Sequence, residues 1–128
     1  MKVNFSETSN CELIGNKLYS TPDNTLAAEI YLKNYKYIEL HYITDKDKEC
    51  YRTLKLYKNK PAAQDVVNNP LFNNNGLHIC QNCNRPILKI NEDEIFSYAL
   101  YVICQCDTVY DRRRIRDEDR VDIDIQDI

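Results

Sequence analysis

Residues 77–110 read LHICQNCNRPILKINEDEIFSYALYVICQCDTVY, and this stretch organises the rest of the chain. Its cysteines stand in two close pairs, Cys80 with Cys83 and Cys104 with Cys106, in the pattern C-x2-C-x20-C-x-C. Between the pairs, Pro86–Ile90 reads as a strand, Asn91-Glu92-Asp93-Glu94 as a turn, and Ile95–Cys104 as a long β-prone run. Strand, turn and strand would carry the second pair back beside the first. Zinc takes four tetrahedral ligands and bonds thiolate strongly, so two such pairs brought together would satisfy it. Asn84-Arg85-Pro86, directly after the first pair, suits a tight loop whose backbone amides point at the sulfurs.

On these cysteines and their spacing, residues 77–110 resemble the zinc-ribbon class, with its rubredoxin-like knuckles. The resemblance implies one structural zinc ion on Cys80, Cys83, Cys104 and Cys106, with rubredoxin-type iron as the minor alternative. A site with four protein ligands has no open position, so it would fold the chain rather than catalyse. The sequence departs from the class at the second pair, which is C-x-C and lacks the glycine expected after it. Cys106 is therefore the least secure ligand, with His78 or Cys50 as substitutes. The competing readings are four reduced core cysteines or a disulfide pair. Cys11 and Cys50 stand singly and read as small, inert, buried residues. The six cysteines and two histidines match in number what a two-zinc RING domain needs, but not in spacing.

Working outward, Asn68-Asn69-Pro70 and Asn73-Asn74-Asn75-Gly76 are turn signals that suggest a boundary near 68–76. Ile38, Leu40 and Tyr42 alternate with polar residues, Asp45-Lys46-Asp47-Lys48 is a polar turn, and Leu54 and Leu56 alternate again. These predict a β-hairpin over about 36–57. Thr21-Pro22-Asp23 has the chemistry of a helix start, and Leu26, Ala27, Ile30 and Tyr31 follow at helical spacing, predicting a helix over about 22–34. One or two short strands are expected before residue 20, and a short helix over Pro61–Val67. The expected fold class is α+β: residues 1–67 carry the N-terminal helix and Tyr-rich hairpin, 77–110 the ribbon-like β module, and 111–128 a charged tail. All three are expected to form one compact unit.

Composition bounds the function classes. A chain of 128 residues with 43% hydrophobic and 29% charged residues is an ordinary globular domain. Its net charge of −3 supplies no global positive field for nucleic acid. No stretch approaches the length of apolar run that spans a membrane, and the N-terminus lacks a signal peptide, so an intracellular setting in cytoplasm or nucleus is expected. Fourteen asparagines and ten tyrosines against two glycines have the bias of AT-rich coding, common in large DNA viruses and some protists, which adds a virion as an expected setting.

Catalysis is not expected. The zinc-deaminase signature, H-E-x-x-H, phosphate-binding glycine loops and G-x-S-x-G are all missing from the sequence. No small-molecule substrate and no membrane partner is indicated. Two surfaces point to binding. The tail alternates Val121, Ile123 and Ile125 with Asp122, Asp124 and Gln126, the pattern of a strand that adds to a sheet edge. Arg112-Arg113-Arg114-Ile115-Arg116 follows the second cysteine pair, flanked by acids. With the Tyr-rich hairpin, these favour other protein subunits as partners and an assembly role. The alternative is a nucleic-acid-binding or transcription-associated zinc-ribbon factor using Lys33, Lys36, Arg52, Lys55 and the arginine run. Residues 91–128 hold five arginines against eleven acids, which argues for the first reading.

Overall fold

The computed structural model describes residues 4–21, 23–58, 72–74 and 76–112, with backbone alone described for 4–9, 72–74 and 112. In chain order the strands are β1 (Asn4–Ser9), β2 (Cys11–Ile14), β3 (Lys17–Ser20), β4 (Leu26–Ile30), β5 (Tyr35–Thr44), β6 (Arg52–Tyr57), β7 (Phe72–Asn74), β8 (Leu77–Ile79), β9 (Pro86–Ile90), β10 (Ile95–Cys104) and β11 (Val109–Arg112). A single 3-10 turn, Leu32–Asn34, is the only helical element among the described residues. The strands form two antiparallel sheets. Their orders are β1-β6-β5-β10-β11 and β2-β3-β4-β9-β8-β7.

The α+β expectation is therefore wrong: among the described residues the fold is all-β, and the N-terminal helix predicted over 22–34 does not form. Leu26 and Ile30 are four apart, a spacing that fits one helix face but also one strand face, and Ala28 between them completes the strand. The residues before them make a turn instead of a helix start. Asn24 is left-handed at φ 59°, which breaks helical propagation, and the Ser20 amide bonds the Thr25 carbonyl at 2.8 Å. The strand then buries Ala28 and Ile30 against the opposite sheet.

The hairpin over 36–57 is present, with β5 and β6 in register from Tyr37 opposite Tyr57 to Tyr42 opposite Arg52. The strand, turn and strand expected between the cysteine pairs are also present, as β9, residues 91–94 and β10. They do not pair with each other. β9 lies between β4 and β8, whereas β10 lies between β5 and β11, so the turn is an arch from one sheet to the other. Residues 86–104 are thus interleaved with residues 26–57 in both sheets. The predicted helix over Pro61–Val67 lies outside the described residues.

Alternation explains the packing. Ile38, Leu40, Tyr42, Leu54, Leu56, Leu100 and Val102 of the first sheet meet Leu18, Ala28, Ile30, Ile87, Leu88 and Ile90 of the second in one buried cluster. The first sheet is also buried on its other face. Tyr37, Tyr101, Ile103 and Val109 cluster there, and the carboxylate of Glu39 meets His41, Lys55 and the Tyr37 hydroxyl at 3.2–3.4 Å. Glu39 and His41, the polar residues that alternate in β5, are satisfied by pairing with each other and across to β6 inside the protein.

Candidate metal centre

Both cysteine pairs sit in turns at one end of the sandwich, one turn from each sheet. Cys80 and Cys83 occupy the β8–β9 turn, while Cys104 ends β10 and Cys106 lies in the β10–β11 turn. The turns are built alike. In the first, the Asn84 amide bonds the Cys80 carbonyl at 2.8 Å and the Cys80 amide bonds the Arg85 carbonyl at 3.0 Å. In the second, the Asp107 amide bonds the Cys104 carbonyl and the Cys104 amide bonds the Thr108 carbonyl, both at 2.9 Å. The residue after each second cysteine is left-handed: Asn84 at φ 59° and Asp107 at φ 72°. Glycine is the usual occupant of such a position, but Asn and Asp tolerate it better than other side chains. The missing glycine is thus replaced by residues that reach the same backbone conformation.

The four sulfurs converge. Cys80 Sγ is 3.5 Å from Cys106 Sγ, Cys83 Sγ is 3.6 Å from Cys104 Sγ, and all four lie within 4.8 Å of one another. A tetrahedral ion with metal–sulfur bonds of about 2.3 Å needs sulfurs roughly 3.8 Å apart, so the set fits a metal ion. Cys106, which the sequence left open, belongs to the set. His78 does not. Its Nδ1–H donates to the Gly76 carbonyl at 2.9 Å, and its Nε2 accepts from the Tyr98 hydroxyl at 2.9 Å. Cys50 is held elsewhere, accepting from Asn10 Nδ2 at 2.9 Å.

The surroundings favour thiolate at two positions and oppose it at two. Burial works against ionisation of Cys80, but the Tyr110 hydroxyl and the amides of Cys83 and Asn82 outweigh it and lower the thiol. That hydroxyl accepts from the Gln81 amide at 2.9 Å, which leaves its proton for Cys80 Sγ at 3.2 Å. At Cys106 burial is again opposed, by the Thr108 hydroxyl, Asn82 and the Thr108 amide, and the thiol comes down to about 6. Burial raises Cys83 and Cys104, against single amide donors from Arg85 and Cys106. Bound metal would displace those protons. Four thiolates around a divalent ion leave roughly two negative charges. Lys58 is buried nearby, its ammonium 4.5 Å from the Tyr35 ring centre; burial lowers its pKa, against a smaller electrostatic attraction to Cys104.

Tyr110 and Thr108 were not foreseen as supports, because nothing local in the sequence marks them. Arg52, expected from the sequence as a nucleic-acid contact, is instead fully buried at the opposite end of the sandwich. Arg52 Nη2 lies 3.9 Å from Asp23 Oδ2 and 3.7 Å from Asp47 Oδ2, while Nη1 bonds the Cys50 carbonyl at 3.2 Å. Of the binding residues predicted from sequence, Arg112 ends β11, and Arg113, Arg114, Arg116, Val121, Ile123 and Ile125 lie outside the described residues. No helix among the described residues is long and apolar enough to cross a membrane. No family model, curated protein or solved structure matches the chain at a significant level.

Proposed function

We propose that this chain is a zinc-clasped, non-enzymatic module for protein–protein assembly. The convergence of four cysteine sulfurs from turns on both sheets carries the reading. Zinc suits the donor set because four soft thiolates in a tetrahedral cage leave no open position for a substrate, and the knuckles resemble those of zinc ribbons. A metal used in this way stiffens a scaffold, and what the scaffold presents is its surface. In this reading the module is a structural component of a virus particle, with the AT-rich bias of the composition supporting the origin alone.

The nucleic-acid alternative is less well supported, because three of its basic residues already have acidic partners within the chain. Arg52 is buried among carboxylates, Lys55 meets Glu39 at 3.4 Å, and Lys36 pairs with Asp107. Light scattering on the full chain and on a chain lacking residues 117–128 tests the assembly reading. Self-association or partner capture that weakens on deletion is the expected result. Wild-type behaviour in both, together with DNA or RNA binding that falls steeply with salt, would transfer support to the alternative.

A further inference from the structure

The two short sulfur distances both cross between sheets. Cys80 of the β8–β9 turn faces Cys106 of the β10–β11 turn at 3.5 Å, and Cys83 faces Cys104 at 3.6 Å. A disulfide bond is about 2.0 Å long, so each pair is roughly 1.5 Å from bonding distance. Pairing within the turns is much less even. Cys80–Cys83 would close a short C-x2-C ring, but Cys104 and Cys106 have only Gln105 between them. A disulfide over one intervening residue closes a small ring whose geometry stores strain and makes the bond more easily reduced. Full oxidation within the turns has to close this strained ring, whereas the two cross-sheet pairs avoid it.

We infer that the centre is also an oxidative modification site, which converts from four thiolates into two cross-sheet disulfides, Cys80–Cys106 and Cys83–Cys104. Hydrogen peroxide is the oxidant. In each conversion a thiolate attacks the peroxide oxygen and the O–O bond breaks, giving a sulfenic acid and hydroxide. The facing thiolate then attacks the sulfenic sulfur and expels a second hydroxide as the S–S bond forms. Each disulfide thus gives two electrons to one peroxide, and protons from solvent convert the hydroxides to water. Two peroxides complete the centre. Access is through Cys83 and Cys106, which are only partly buried, while Cys80 and Cys104 are fully buried.

Both disulfides tie the same two turns that a metal would tie. Oxidation would free a bound ion without opening the sandwich, so one fold would persist under reducing conditions with metal and under oxidising conditions without it. The ion release rests on the zinc reading of the previous subsection; the disulfide pairing rests on the sulfur geometry alone.

The test uses the full chain with Cys11→Ala and Cys50→Ala, which removes the two cysteines outside the centre. Zinc-loaded protein is treated with stoichiometric hydrogen peroxide. Zinc release is followed with a chromogenic chelator, mass by intact-protein spectrometry, connectivity by peptide mapping under non-reducing conditions, and fold by far-UV circular dichroism. The expected result is zinc release with a mass loss of about 4 Da, the two cross-sheet linkages, and an unchanged β spectrum. A Cys80–Cys83 linkage with Cys104 and Cys106 unpaired would overturn the inference, as would loss of the β spectrum in step with oxidation. Protein that holds no zinc yet forms both cross-sheet disulfides would uphold the pairing and sink the metal reading instead.

Discussion

The two ends of the sandwich close it by opposite means. At one end, turns from both sheets bring four thiols within 4.8 Å, with amide and hydroxyl donors aimed at the sulfurs. At the other, Arg52 reaches from β6 to Asp23 in the β3–β4 turn and Asp47 in the β5–β6 turn. Those contacts are long, and Arg52 Nε, Asp23 Oδ2 and Thr25 Oγ1 are buried without a hydrogen-bond partner. A metal–thiolate cage gains free energy from every ligand bond. A buried guanidinium gains only what its partners return beyond the cost of leaving water. The metal end should therefore dominate stability, and the ionic end should mainly set how the turns are seated.

The largest effect should follow from breaking the metal end. Cys80→Ser removes a ligand, and structural zinc contributes on the order of 10 kcal/mol in small metal-dependent folds, comparable to the roughly 5–15 kcal/mol that stabilises a whole domain. The variant is expected to bind no zinc and to show no cooperative melt. Elemental analysis beside a thermal melt checks this, and wild-type melting would remove the argument for a structural metal. The ionic end should yield less. Asp23→Asn with Asp47→Asn strands a buried guanidinium and should cost about 3 kcal/mol. Arg52→Met should cost less, because the released Asp47 carboxylate is 47% exposed and can be hydrated. Equal losses from the two variants, measured by denaturant titration, would mean that Arg52 is not held by those acids.

The same contrast explains what was legible in the sequence. The four cysteines were, because metal ligation needs particular residues at close spacing. The β5–β6 hairpin was also legible, since Ile38, Leu40, Tyr42, Leu54 and Leu56 all face one core. The stretch 21–30 was misread because Leu26 and Ile30 satisfy strand and helix periods alike, and the deciding feature is the backbone of Asn24. The separation of β9 and β10 into different sheets leaves no local mark, as it depends on which distant strands each one pairs with. Arg52 was hidden for a similar reason. A charged residue at the start of an alternating strand reads as solvent-facing unless its partners, 29 and five residues away in sequence, are known to be near.

Alkaline titration probes both ends together. Burial raises Tyr35 to about 12, and Tyr110 to about 12 with help from its bond to Cys80, both at the metal end; burial also raises Tyr42 at the ionic end. An acid raised on folding keeps its full stabilisation below its unfolded value near 10 and loses it as pH climbs toward the folded value. Between pH 10 and 12 the unfolded chain binds fewer protons than the native one, so stability must fall. For Tyr35 alone, a shift of two units corresponds to roughly 3 kcal/mol. Tyrosinate absorbance from the buried rings should rise in step with loss of the β spectrum. A single phase centred near pH 10 with the fold intact would contradict the burial of these rings.

The smallest effect comes from a device the two ends share. Each has two left-handed residues that are not glycine: Asn84 and Asp107 beside the cysteines, Asn10 and Asn24 beside Arg52. Glycine at any of these relieves strain in the native state but frees the unfolded chain, and the two nearly cancel. Asn84→Gly and Asn24→Gly should each change stability by less than about 0.5 kcal/mol. Valine tolerates positive φ poorly, so Asn84→Val and Asn24→Val should each cost about 1–2 kcal/mol. Stability alone cannot separate the ends, but zinc affinity can. The Asn84 turn holds two sulfurs in place, so Asn84→Val should weaken chelator-competed zinc binding, whereas Asn24→Val should lower the melt and leave that affinity unchanged. If both variants weakened zinc binding equally, the turns would be coupled through the core, and the division of labour between the two ends would have to be abandoned.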